Sequence, residues 1–264
     1  MSARLRGIAK ETVEIVSAGG YRGVSLGAAV EAARAGTRML GPEPVACTPV
    51  PVTVTVTGVD VTGESSLEAA RRLADRPVAV LNFASARNPG GGFLNGAQAQ
   101  EEALCRASAL YACLLEAPDF YAFHRAHRDP FYTDRVIHSP AVPVFRDDRG
   151  RLLDEPYHAG FLTAAAPNAG VVRRTLPERV DEVPGALAVR AERVLETAVA
   201  FGYRRVVLGA WGCGVFQNDP VQVAGTFREL LAGRFSGVFE RVVFGVLDRT
   251  PGAVVRKAFT EAFA

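Results

Sequence analysis

The chain has 264 residues, 48% of them hydrophobic and 22% charged, with a formal net charge of +2. That length suits one α/β domain, or a domain with an extension, around a sizeable core. The balanced charge lacks the basic excess of a nucleic-acid binder, so no direct DNA binding is expected.

The N-terminal residues MSARLRGIAKETVEIV lack the apolar core of a signal peptide, and no apolar run reaches the length of a membrane span, so a cytoplasmic protein without a membrane partner is expected. Leu5, Ile8, Ala9, Thr12, Val13 and Val16 recur at helical spacing and stop at Gly19-Gly20, which predicts a helix over 2–17. A second helix or partly helical connection is expected over 26–40. Pro42, Pro44, Pro49 and Pro51 then interrupt regular structure. Residues 1–45 read as an extension packed on a main domain of residues 46–264, because the apolar stripe of the first helix needs a cover.

Val52 to Val61 alternates valine and threonine, a strand pattern. Gly63-Glu64-Ser65-Ser66 turns the chain into a helix over 67–74, capped by Ser65 or Ser66. Val78 to Phe83 is an apolar run typical of a strand buried on both faces. Strand, helix and strand in succession favour parallel pairing, with ligands beyond the carboxyl ends of the strands. Gly90, Gly91 and Gly92 form a loop that lets backbone approach a ligand closely. Asn95 with Gln98 predicts a helix start, placing Gln100, Glu101 and Glu102 in its second turn and Leu104, Cys105, Ala109, Cys113 and Leu114 along its core stripe.

Residues 119–131 are rich in aromatic side chains. His124 and His127 lie three apart but lack a third ligand nearby in sequence, so they read as surface or capping histidines rather than a metal site. Cys47, Cys105, Cys113 and Cys213 show no CxxC or metal spacing and suit buried thiols in a reducing compartment. A hairpin is expected from 136–145 and 151–153, then a short strand over 161–166 and an amphipathic helix over 186–201. The strand 205–208 runs into a second glycine loop, Gly209 to Pro220. Asp219-Pro220 starts the next helix, with Asp as N-cap and Pro in the first turn. A helix over 221–232, a strand over 241–247 and a helix over 252–263 close the chain. The fold class is therefore α/β: a mixed β-sheet sandwiched between helices.

Strand, glycine loop and acid-bearing helix together make a concave site for a ligand rich in hydroxyls and phosphates. The second glycine loop, at a helix N-terminus, offers backbone N–H groups to a phosphate. Glu101 and Glu102 are adjacent on a helix, so their side chains diverge by about 100° and divide the labour rather than flank one bond as a pair.

The three glycines, the seven-residue gap and Gln100-Glu101-Glu102 resemble the signature of the poly(ADP-ribose) glycohydrolases. The wording NFASARNPGGG and the run Thr163 to Asn168 resemble the compact bacterial branch. The resemblance implies a macrodomain fold with no cofactor and no metal, and poly(ADP-ribose) or ADP-ribose as ligand, with ADP-ribosylated proteins as possible partners and a setting in the DNA damage response. It implies Glu102 as the general acid, and later base, at the ribose–ribose bond, which calls for a raised pKa, with Glu101 holding ribose hydroxyls. Asn88, with Ser85, would contact the distal ribose, and Gly90, Gly91, Gly92 and Gln100 would line the same site. Gly212, Gly214 and Val215 would belong to the diphosphate loop, Phe216 would pack on the distal ribose, and Glu64 would accept from the adenine amino group. Exo-type release of ADP-ribose is expected. A macrodomain that binds without cutting, or a hydrolase of another ADP-ribosyl bond, stands as the alternative. A dinucleotide oxidoreductase does not fit, since neither glycine loop reads GxGxxG with an acid about 20 residues on.

Overall fold

A computed structural model of the chain describes residues 2–48 and 58–264. The first helix, α1 (Ala3–Ala18), is capped by Ser2 and ended by Gly19 at φ 74°, a left-handed conformation that glycine adopts without Cβ strain. A two-residue hairpin of β1 (Gly20–Tyr21) and β2 (Val24–Ser25) leads to α2 (Gly27–Gly36) and β3 (Arg38–Leu40). The second helix therefore stops short of residue 40, and the chain turns extended there.

The strand expected over Val52 to Val61 lies partly outside the described residues; its described end is β4 (Gly58–Thr62). Helix α3 (Ser66–Leu73) carries a complete capping box, Ser65 with Glu68. After β5 (Val78–Phe83) come α4 (Gln100–Ala107), α5 (Leu110–Leu114), α6 (Pro118–Ala126), β6 (Val136–Arg146), β7 (Leu152–Ala164) and α7 (Ala169–Thr175). The chain closes with α8 (Val183–Ala200), β8 (Arg205–Leu208), α9 (Pro220–Ala232), β9 (Arg241–Gly245) and α10 (Val254–Ala262).

The seven-stranded sheet has the order β3-β6-β7-β5-β8-β9-β4. From β7 to β4 the neighbours pair in parallel, and β6 and β3 add antiparallel strands at one edge. β4 and β5 run parallel as expected of a crossover unit, but β8 and β9 lie between them. The segments expected as 151–153 and 161–166 are one strand, β7, whose pairing with β6 is interrupted by register shifts. A sequence break in alternation thus marks bulges rather than a strand end. The division expected after residue 45 leaves β3, an edge strand of the sheet, on the extension side.

Alternate residues of β5 enter opposite layers. Val78 and Val80 pack in the layer of α1 to α6, whereas Ala79 and Leu81 pack in the layer of α8 to α10. A strand covered on both faces reads as an unbroken apolar run because both sides of its pleat are core.

The expected helix start at Asn95 is wrong by five residues. Phe93–Asn95 is a 3-10 turn ended by Gly96 at φ 75°, and α4 begins only at Gln100, with Ala99 as its N-cap. Glu101 and Glu102 therefore sit in the first turn, where the positive end of the helix acts on them most strongly. Ser108 breaks the expected long helix, so Cys105 and Cys113 lie on separate helices.

Leu81 is 1% exposed at the centre of the sheet. Leu81→Ala should cost about 2–5 kcal/mol, measured by urea denaturation; a loss below about 1 kcal/mol would contradict this packing.

Candidate active site

Because β5, β8, β9 and β4 are parallel, their carboxyl ends share one rim, and both glycine loops follow strands that end there. The first loop is shaped by two successive left-handed residues, Gly90 at φ 66° and Gly91 at φ 58°. The Gly91 N–H donates to the Asn88 carbonyl at 2.9 Å. A Cβ on Gly91 would stand 2.6 Å from Glu102 Oε1 and 3.1 Å from Glu101 Oε2. Glycine is required there by conformation and by space.

The three residues at the start of α4 have distinct partners. Gln100 Oε1 accepts from the Phe83 N–H at 2.9 Å, and its Nε2 donates to the Leu81 carbonyl at 2.7 Å and to Ser66 Oγ at 3.0 Å. Gln100, expected among the residues lining the site, borders the cleft, and its amide ties the helix to the end of β5. Glu101 is buried. Its Oε2 accepts from the Ser85 N–H at 2.7 Å and its Oε1 from Asn82 Nδ2 at 3.2 Å. Burial pushes the Glu101 carboxyl up to about 8, against the pull of those donors, because a charge in a poorly solvated site is disfavoured.

Glu102 is 8% exposed. Its Oε1 accepts from the Gly92 N–H at 2.9 Å, while its buried Oε2 has no protein hydrogen-bond partner among the described residues. Buried polar atoms are rarely left so. The two side chains leave the helix in different directions, but both ends reach the same glycine loop. The divergence expected from helix geometry separates their partners without separating their carboxyl groups.

Asn88 lies exposed at the lip of this loop; its N–H donates to Ser85 Oγ at 3.3 Å. Asn82, which sequence reasoning missed, holds Glu101 and lies 3.1 Å from Thr163 Oγ1 on β7. A single polar residue inside an otherwise apolar strand is the signal that identifies it.

The second loop is closed by another unforeseen residue. The buried Asn218 donates from Nδ2 to the carbonyls of Pro167 at 2.8 Å and Gly212 at 3.2 Å, and its N–H also donates to Gly212 O. Gly212, at φ 74°, would place a Cβ 2.4 Å from Asn218 Nδ2, whereas a Cβ on Gly214 meets nothing within 4 Å. Gly212 is thus needed for the loop itself. Gly214 leaves open space on its outer side.

Val215 is 81% exposed at the tip. Phe216 is half-buried, its ring 5.7 Å from that of Tyr132, and its carbonyl accepts from the Gly170 N–H at 3.0 Å. Asp219 caps α9 by accepting from the Val221 N–H, with Pro220 in the first turn.

A cleft of about 780 Å3 runs from Cys213 and Gly214 past Phe83, Ser66 and Leu247 to Leu5 of α1, within the size range of small-molecule sites. Glu64 does not line it. Both Glu64 oxygens accept from Arg72, at 2.9 and 2.7 Å, and those guanidinium bonds hold its carboxyl below the ordinary range. The carboxylate expected to meet the adenine is thus held toward α3.

His124 is buried between the Phe120 carbonyl and Thr133 Oγ1, each at 2.8 Å, and burial pulls its pKa down to about 4. His127 stacks on Phe123. Among the described residues, no three His, Cys, Asp or Glu side chains gather as a metal site, and no helix is long and apolar enough to cross a membrane.

A family model described as microbial-type PARG (poly(ADP-ribose) glycohydrolase), catalytic domain, matches residues 9–147. No match is found among curated proteins. Among solved structures, the poly(ADP-ribose) glycohydrolase from Thermomonospora curvata superposes with a TM-score of 0.95 at 49% identity, over 99% of this chain and 100% of that one. The same enzyme bound to the inhibitor ADP-HPD gives 0.92 at 51% identity, over 98% and 99%. The poly(ADP-ribose) glycohydrolase from Deinococcus radiodurans in complex with ADP-ribose gives 0.82 at 46% identity, over 89% and 96%.

The raised pKa of Glu101 makes stability depend on pH. Between the unfolded value near 4.5 and the folded value of about 8, the folded state binds more protons than the unfolded one, so this group's contribution is lost as pH rises through that window. Urea denaturation from about pH 5 to about pH 8 should show wild type losing stability relative to Glu101→Gln. Parallel curves for the two proteins would contradict the burial of an acid at this position.

Proposed function

The chain belongs to the microbial-type poly(ADP-ribose) glycohydrolases, and from that premise we propose that it hydrolyses the ribose–ribose O-glycosidic bonds of poly(ADP-ribose) and releases ADP-ribose. The observation that carries the reading is Glu102. It is a buried carboxyl with one oxygen oriented by the Gly92 N–H and the other unused by the protein, beside two glycine loops on one rim.

Cleavage breaks the bond between C1″ of the distal ribose and the 2′-oxygen of the next adenosine. The departing oxygen needs a proton, and C1″ develops oxocarbenium character until water adds. Burial raises Glu101 to about 8, so Glu101 is held neutral at pH 7. Each Glu101 oxygen already accepts from Asn82 or Ser85, whereas Glu102 Oε2 has no protein partner among the described residues. That oxygen is the one placed to act as general acid on the departing oxygen and afterwards as base on water. Glu101 and Asn88 position the distal ribose, Gly90 to Gly92 approach it through backbone, and Phe216 packs on its face. Gly212, Gly214 and Val215 offer the loop that takes the diphosphate, with the adenosine in the cleft beyond.

Exo action is favoured at the far end of that cleft. There Arg4 Nη2 of α1 donates to the Arg149 carbonyl at 2.6 Å, and both residues border the cleft end, which leaves less room for a further unit. Four free cysteines suit a reducing, cytoplasmic setting, and removal of polymer from ADP-ribosylated proteins in the DNA damage response would follow from the activity.

Purified wild type should convert poly(ADP-ribose) to ADP-ribose, resolved by chromatography. Glu102→Gln should lower kcat by about 10²–10⁴ with ADP-ribose affinity retained. Binding of ADP-ribose with no turnover by wild type would favour a reader module, and full activity in Glu102→Gln would remove it as the acid.

A further inference from the structure

The first glycine loop is flanked on its outer side by arginines that the proposed chemistry leaves unused. Arg87 immediately precedes Asn88 and is exposed. Arg125 on α6 donates from Nη1 to the Arg87 carbonyl at 2.8 Å, which fixes the two segments together. Arg135 lies with its guanidinium carbon 3.8 Å from the centroid of Phe123, and His127 stacks on the same ring at 3.9 Å and 15°. At those separations the two must occupy opposite faces, so cation, ring and imidazole form a three-layer stack. None of the three arginines makes an ion pair among the described residues, although other arginines pair repeatedly. The cluster is therefore a concentration of uncompensated positive charge with planar surfaces.

Its placement indicates a ligand. On one side it adjoins Asn88, whose carbonyl holds the Gly91 N–H. On the other, His124 meets Phe123 edge-on at 5.7 Å, and Tyr132 carries the contact on to the second loop, with its ring 5.7 Å from both His124 and Phe216. None of these arginines lines the 780 Å3 cleft, which runs away from Gly214 in another direction. The two glycine loops and the cleft together account for the ADP-ribose unit on the near side of the scissile bond. Beyond that bond the substrate continues as an adenosine, cut at its 2′-oxygen, with a 5′-diphosphate.

Resting on the glycohydrolase reading, we propose that Arg87, Arg125 and the Arg135–Phe123–His127 stack form the subsite for the leaving unit, an adenosine diphosphate group at the newly freed chain end. Arg87 and Arg125 supply charge to the diphosphate, since guanidinium forks match phosphate oxygens. Arg135 presents its outer plane to the adenine. The subsite acts on the departing chain and leaves protonation by Glu102 untouched.

The test compares two substrates in wild type and in Arg87→Ala/Arg135→Ala. One is poly(ADP-ribose); the other is ADP-ribose bearing a 4-nitrophenyl group at C1″, which has no second diphosphate. The variant should lose about tenfold in kcat/KM on the polymer at low salt, with the loss shrinking as salt rises, while its rate on the aryl substrate stays within about twofold. Arg87→Lys alone should fall between wild type and the double variant on the polymer, because it keeps the charge and loses the fork. Equal losses on both substrates would reveal a structural role and overturn the subsite, as would unchanged polymer hydrolysis. Loss of binding to a single-stranded DNA oligonucleotide, with polymer turnover intact, would assign the cluster to nucleic acid and also overturn it. If wild type cleaves neither substrate, the glycohydrolase reading itself fails. If wild type cleaves both and the variant matches it, only the subsite fails.

Discussion

The structure depends on how the first turn of α4 is bound to the end of β5. Gln100 satisfies main-chain groups of the strand through its amide, and Glu101 is buried against Asn82 and the Ser85 N–H. Burying a carboxyl is costly unless it is hydrogen-bonded or protonated, and both remedies are in place here. The glycine loop must then pass close enough for its own N–H to reach Glu102, which leaves no room for a Cβ at Gly91. Strand, loop and helix start are thus one interdependent unit, and Glu102 is oriented by it.

The second loop repeats the logic with a different clamp. Asn218 closes the loop through its side-chain amide, and α7 pins Phe216 through the Gly170 N–H. A loop fixed at both ends from outside can leave its tip bare, as Val215 is at 81% exposure, without losing shape. Preorganisation of this kind spares the ligand the cost of ordering the loop.

Much of this was legible in the sequence because it rests on local signals. The apolar run of β5, a serine cap at Ser65, one of the two serines expected there, and the Asp219-Pro220 helix start each depend on neighbouring residues alone, and each is found in the structure. What was not legible depends on residues distant in the chain. The start of α4 at Gln100 rather than Asn95 reflects Gly96 in a left-handed turn packed against α1, where a Cβ would meet the Ser2 carbonyl at 2.5 Å. The fusion of two expected segments into β7 depends on its pairing with β5 and β6. Glu64 was placed at the right rim, but its engagement by Arg72 is a matter of rotamers on the finished helix. The roles of Asn82, Tyr132 and Asn218 arise only when separate strands and loops meet.

In the proposed reaction Glu102 stands at the glycosidic oxygen. That placement is tested most directly by a crystal structure of Glu102→Gln with a two-unit poly(ADP-ribose) fragment bound. The side-chain amide of residue 102 should lie within about 3 Å of the oxygen linking the two units, with the distal ribose between the Gly90–Gly92 loop and Phe216. A fragment bound with that oxygen away from residue 102, or with its ribose outside the two loops, would contradict it.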